Sequence, residues 1–129
     1  MILDHIGISV SDYAASKAFF TAALVPLEIA LVSETHGWAG FGKAGKPEFW
    51  LGQGAVAHAP MHIAFLAESR RQVQDFYEAA LAAGGKDNGA PGIRAHYHAH
   101  YFGAFVIGPD GHNIEAVCHS AQTPIGAGT

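Results

Sequence analysis

An internal repeat constrains this chain more than any other feature. Shifting the sequence by 57 residues lays His5-Ile6 on His62-Ile63, Phe19-Phe20 on Phe76-Tyr77 and Ala22-Ala23-Leu24 on Ala79-Ala80-Leu81, so six of the twenty positions from 5 to 24 are identical. A His-Ile pair and an aromatic pair held in one register point to a duplicated supersecondary unit, which buries its apolar face against its own copy. With 129 residues there is room for one domain and one core. The expected organisation is a single domain over 1–129, with a first module over about 1–57, a second over about 58–119, and a loose Gly/Ala/Thr/Pro tail over 120–129.

Both modules read the same way. Ile6, Ile8 and Val10 alternate with smaller or polar residues, which predicts a strand over Asp4–Val10, and Met61–Ala67 is its counterpart. Ser11 or Asp12 offers a cap for a helix over Tyr13–Leu24, and Ser69 caps a second helix that ends at Gly84-Gly85. In that helix Val73, Phe76, Tyr77, Ala80 and Leu81 form one apolar stripe. Short strand-like runs follow each helix: Glu28–Ser33, His36–Phe41 and Glu48–Leu51, then His96–His100, Tyr101–Ile107 and Asn113–Val117. Gly108-Pro109-Asp110-Gly111 supplies a turn between the last two. Each module is therefore βαβββ and the fold class α+β. A half-open sheet from one short chain leaves edges and apolar faces to cover, so a homodimer is expected.

Composition narrows the partners. Charged residues make up 14% of the chain and hydrophobic ones 50%, against roughly 25% charged in an ordinary soluble domain, so part of the surface is expected to be an interface. A net charge of -4 with seven dispersed Lys and Arg excludes a phosphate-gripping stripe, and with it nucleic acid or an anionic membrane as partner. Cys118 is the single cysteine, so no intrachain disulfide forms and a reducing compartment fits. With no export signal or membrane-length apolar stretch, the expected location is cytoplasmic.

Nine histidines stand out. Three fall in His96-Tyr97-His98-Ala99-His100-Tyr101, which as a straight strand puts the imidazoles on one face and the tyrosines on the other. Which face looks inward stays open. Beside a bound substrate, His98 would act as general acid or base, Tyr101 or Tyr97 as a donor to a developing oxyanion, and His96 as pocket wall. An exposed or dimer-facing polar strand, or a site for an adventitious metal, is the alternative. Trp38, Phe41, Phe49, Trp50, Phe102 and Phe105 read as core, although Trp50 facing a cavity would supply an aromatic wall. His112 is expected to be exposed in its turn, Cys118 to be a buried filler, and Gly7 and Gly103 to be bulges or close approaches.

Asp-His-Ile-Gly-Ile-Ser-Val at 4–10, the second His-Ile at 62–63, and Gly-Pro-Asp-Gly-His-Asn-Ile-Glu-Ala-Val at 108–117 resemble the vicinal oxygen chelate superfamily. That superfamily includes glyoxalase I, fosfomycin- and bleomycin-resistance proteins and extradiol dioxygenases. The resemblance implies paired βαβββ modules curled into an open, incomplete barrel around a divalent metal (Fe, Mn, Ni or Zn), held within one chain or across a subunit boundary. It carries the ligand roles onto His5, His62 and Glu115. Two neutral imidazoles and a carboxylate leave coordination positions open for a small-molecule substrate that chelates through neighbouring oxygens. Without a metal, Glu115 would need a salt bridge to Arg94 or Lys43.

Glyoxalase I has a fourth ligand, a Glu in the first module, and here its place falls on Trp50. An indole cannot ligate. Glu48 lies two residues earlier, on the same face of a regular strand, and is the substitute if the register shifts. The missing ligand ranks dioxygenase, lyase or thiol-transfer chemistry above glyoxalase isomerisation. A metal-free, drug-sequestering protein of bleomycin-resistance type is the alternative, and the identity of the substrate does not follow from the fold.

Overall fold

Alternation of Ile6, Ile8 and Val10 with Gly7 and Ser9 produces β1 (Ile6–Val10). In the computed structural model, which describes residues 3–55 and 60–121, it is followed by α1 (Tyr13–Ala23), β2 (Ala30–Thr35), β3 (Trp38–Lys43) and β4 (Lys46–Gln53). The second module repeats the order as β5 (His62–Leu66), α2 (Arg70–Ala82), β6 (Lys86–Ile93), β7 (Phe102–Ile107) and β8 (Asn113–Cys118). Asp12, of the two candidate caps, accepts from Ala15 N at 3.0 Å, and Ser69 Oγ accepts from Gln72 N at 3.1 Å. Each satisfies one of the orphan amides at a helix start. The module boundary, His58 and the tail beyond residue 121 lie outside the described residues.

The strands form two four-stranded sheets of identical order, β1-β4-β3-β2 and β5-β8-β7-β6. Among the described residues only β1–β4 and β5–β8 are parallel and neither sheet closes on itself, which gives the α+β fold of two βαβββ modules with no closed barrel.

One strand differs from expectation. His96–His100 is not extended; the sixth strand is Lys86–Ile93, whose Asp87, Asn88, Gly89, Pro91 and Gly92 read as turn residues. An edge strand tolerates that composition, and the β6–β7 pairing accommodates it by slipping register on both sides of Gly89. Residues 94–101 form a loop instead, pinned at its base by Arg94 N donating to Tyr101 O at 2.7 Å. His36 likewise leaves its expected strand. With Gly37 it forms a tight turn at φ 50° and 80°, and Ala44-Gly45 repeats this at 52° and 77°, the left-handed pairs that two-residue hairpins require.

The two modules share one core. Phe20 packs edge-on against Phe49, and Phe49 against Phe65, at 5.0 and 5.3 Å between ring centres. Phe19 of α1 reaches the second module, where its ring lies 3.1 Å from where a Cβ would stand on Gly85 and on Gly108. Phe41, Phe49 and Phe102 belong to this core as expected, and Cys118 is buried beside them. Trp38, Trp50 and Phe105 do not. Ala39, Phe41, Phe49 and Leu51 fill the inward positions of β3 and β4, so the two indoles stand on the opposite, open face, as Phe105 does in the second sheet.

Candidate functional site

On β8, Ile114 and Ala116 turn into the core and Glu115 between them turns to the open face of the second sheet. Its carboxylate is nevertheless only 1% exposed. His62 Nε2 lies 2.7 Å from Oε1, and the Tyr101 hydroxyl donates to Oε2. Gly103 makes room for both, since a Cβ there would stand 3.2 Å from Oε2 and 3.3 Å from the Tyr101 ring. This is the close approach expected of that glycine. Burial, reinforced by the hydrogen bond to Glu115, pushes the Tyr101 phenol well above its ordinary value. Neither cation weighed for Glu115 pairs with it. Arg94 lies over the Phe105 ring at 5.3 Å and donates to Ala90 O, while Lys43 meets Glu68 at 3.7 Å.

His62, at the start of edge strand β5, keeps 53% of its side chain exposed above the buried carboxylate. His5 directly precedes β1, and its Nδ1 lies 2.8 Å from Asp4 Oδ2. The His5 bond, then Lys46 Nζ at 3.0 Å, hold Asp4 below the usual carboxylate range. An ionised carboxylate only accepts, so His5 donates to it from Nδ1, which turns Nε2 away from Asp4. Carboxylate-oriented imidazoles of this kind are the usual support of metal-ligating histidines. His5 and His62 both line a cavity of about 520 Å³ walled by Ile6, Phe41, Phe49, Ile63 and Phe65. Within one chain only His62 and Glu115 meet. Among the described residues no group of three or more His, Cys, Asp or Glu stands close enough to hold a metal ion.

The registers fix the relation between the modules. Gly7 pairs with Trp50 in the first sheet as Ala64 pairs with Glu115 in the second, so Trp50 holds the place of a second carboxylate. Glu48 does not share the face of Trp50. The β3–β4 pairing steps from Phe41↔Phe49 to Gly42↔Pro47, leaving Glu48 as the extra residue of a bulge. The bulge brings Pro47 beside Trp50 on the open face and puts Glu48 among the residues of the cavity with His5 and His62. Gly42 makes the bulge possible, because a Cβ there would stand 1.8 Å from Lys46 O.

The histidine loop arches beside Tyr101. His98 Nδ1 accepts from His100 N at 3.0 Å, and its Nε2 lies 2.7 Å from His119 Nδ1. The Tyr101 ring contacts His98, His119 and Tyr97 with centres 5.4, 5.3 and 4.8 Å away. His96 meets Tyr97 with ring centres 4.2 Å apart and planes tilted by 47°, and is exposed. Sequence reasoning missed His119, although positions 115, 117 and 119 share one face of a continuing strand. His112 is buried rather than exposed. Its Nδ1 accepts from Met61 N at 2.8 Å, because the turn before β8 folds back on the start of β5.

A profile of the Glyoxalase/Bleomycin resistance protein/Dioxygenase superfamily matches residues 2–116. The chain belongs to this superfamily. Solved members and relatives share its architecture. A glyoxalase/bleomycin resistance protein from Albidiferax ferrireducens T118 is 24% identical, with a TM-score of 0.80 over 93% of this chain and 100% of that one. A glyoxalase-related enzyme from Fulvimarina pelagi is 20% identical, with a TM-score of 0.70 over 97% and 92%. A glyoxalase/bleomycin resistance protein/dioxygenase family enzyme from Burkholderia phytofirmans PsJN is 16% identical, with a TM-score of 0.69 over 91% and 98%. At these identities the likeness is one of fold. No curated protein is a significant match. Among the described residues, no helix of this superfamily member is long and apolar enough to cross a membrane.

Proposed function

We propose that this superfamily member is a metal-dependent enzyme that works as a homodimer, with His62 and Glu115 of one copy and His5 of the other holding a divalent Fe, Mn, Ni or Zn ion. The observation that carries the reading is the contact between His62 and Glu115: a carboxylate 1% exposed whose hydrogen-bonding side chains are an imidazole and a phenol. A buried anion of this kind is costly unless a cation neutralises it, and these donors are of the type that divalent transition metals take. His5 stands away from the pair within one chain, while β1 and β5 are both free sheet edges. That arrangement favours a site completed by a second copy.

When bound, such an ion polarises substrate oxygens as a Lewis acid. The residues of this chain do the rest. Tyr101 stays protonated at neutral pH and holds the Glu115 carboxylate from the side opposite His62. Asp4 fixes the orientation of His5. His98, beside Tyr101, has both ring nitrogens engaged, so its role in proton transfer runs through the pair it forms with His119. The substrate is a small molecule with two neighbouring oxygens, and the reaction is of dioxygenase, lyase or thiol-transfer type in the cytoplasm, with no nucleic-acid or membrane partner. Metal-free sequestration of a small molecule is the second reading, favoured by Trp50 standing where a further carboxylate ligand would be.

Subunit mixing tests the proposal. His5→Ala and Glu115→Ala each lose the metal alone. Randomly reassorted, the two variants regain about a quarter of the sites, because each mixed dimer contains one intact pairing of His5 with Glu115. No recovery in fully exchanged mixtures overturns the shared site.

A further inference from the structure

Resting on the metal reading of His62 and Glu115, we infer that Arg94 sets the substrate class: the small molecule whose neighbouring oxygens meet the ion carries a carboxylate at its far end, and the Arg94 guanidinium receives it. Glu115, Phe105 and Gly89 are cross-strand partners in one row over β8, β7 and β6, and side chains in such a row share a face of the sheet. Gly89 leaves its place in the row open. A Cβ there would stand 2.9 Å from the Phe105 ring and 3.1 Å from Arg94 Nη2, and one on Gly92 would stand 3.0 Å from Arg94 Nη1. Both glycines of β6 thus clear a seat for the guanidinium, which folds back onto the strand and lies over the Phe105 ring at 5.3 Å.

A guanidinium serving the strand alone would need only one of its contacts. Nη2 donates to Ala90 O at 2.8 Å, and four N–H groups remain. Among the described residues no carboxylate lies within ion-pair distance of Arg94. The side chain is nevertheless half-buried and stacked on the same open face as Glu115. Its charge reaches the site. Burial, then Glu115, raises the Tyr101 phenol, and Arg94 is the one group that acts against the rise. A planar fork with unspent donors, held flat on a ring, suits bidentate reception of a carboxylate.

Phe105 sets the length of the occupant. Its ring centre lies 6.0 Å from that of His62 on one side and 5.3 Å from the Arg94 guanidinium on the other. A short carbon chain lying on that ring joins the two ends, and Phe105, which the core does not use, becomes the apolar middle of the site.

2-Oxoadipate and 2-oxohexanoate test the role of Arg94. Both present neighbouring keto and carboxylate oxygens on the same six-carbon chain, and only the first ends in a second carboxylate. In titration calorimetry the metal-loaded wild type is expected to bind 2-oxoadipate about tenfold or more tightly than 2-oxohexanoate. Arg94→Gln abolishes this preference while its affinity for 2-oxohexanoate is unchanged, which also shows that the variant keeps an intact site. Arg94→Lys retains part of the preference. Gly92→Val suits a strand but fills the guanidinium's seat, so the preference falls severalfold although Arg94 is still present. Chelation weakens both probes alike. A preference that survives Arg94→Gln, a full preference in folded Gly92→Val, or a metal-loaded wild type that binds both probes equally or neither would overturn the role of Arg94. Affinities that chelation leaves unchanged would contradict the metal reading instead, with the preference between the probes still reporting on Arg94.

Discussion

Trp50 occupies in the first sheet the position that Glu115 occupies in the second, each paired across its sheet with the equivalent residue of the opening strand, Gly7 or Ala64. Duplication produced two open faces of the same geometry, and this difference gives them different chemistry. One is floored by indoles over glycines. The other holds a buried carboxylate between an imidazole and a phenol.

The Tyr101–Glu115 bond has a measurable stability signature. Tyr101→Phe leaves Glu115 Oε2 without its donor in a buried place, which costs about 2 kcal/mol for a hydrogen bond to a charged group. The folded phenol has a raised pKa, so its contribution is complete below the unfolded value of 10.0 and is lost as pH rises from there toward the folded value. Chemical denaturation should show the wild type more stable than the variant at neutral pH, with the gap closing above about pH 10. A gap that stays constant to higher pH would contradict the assignment.

Gly42 and Gly37 separate steric demand from backbone preference. Gly42→Ala drives a Cβ to 1.8 Å from Lys46 O and breaks the bulge, so unfolding or a loss of more than about 3 kcal/mol is expected. Gly37→Ala meets nothing within 4 Å and bears only the cost of its φ of 80°, about 1 kcal/mol. Thermal melts of the two variants should differ accordingly. Equal melting temperatures would sink the account of the bulge.

Phe19 ties the modules together. Its ring fits against Gly85 and Gly108 of the second module while its edge meets Phe20 of the first at 5.0 Å. Phe19→Ala is expected to lose about 3–5 kcal/mol, with calorimetry still showing one transition because neither module keeps a core of its own. Two separated transitions in the wild type would contradict a shared core.

What was legible in the sequence depended on local pattern. The 57-residue repeat placed His5 with His62, and aligning the closing strands, 46–51 on 111–116, set Trp50 against Glu115, as the registers do. The helix caps were local signals as well. What failed depended on contacts that no periodicity encodes. Strict alternation put Glu48 on the face of Trp50, and only the approach of Gly42 to the Lys46 carbonyl reveals the bulge that removes it. The composition of Lys86–Ile93 hides a strand that exists because β7 offers it an edge. His112 looked like a turn residue and is buried, accepting from Met61 N, and the His98–His119 pair joins positions twenty-one residues apart.

The central claim is that His62 and Glu115 are metal ligands. Metal content per chain, measured by plasma mass spectrometry on untagged protein, tests it most directly when the wild type is compared with His62→Ala and Glu115→Ala. The account expects about one Fe, Mn, Ni or Zn ion per chain in the wild type, lost in both variants. A wild type that holds no metal and cannot be loaded, or variants that keep the full complement, would contradict it.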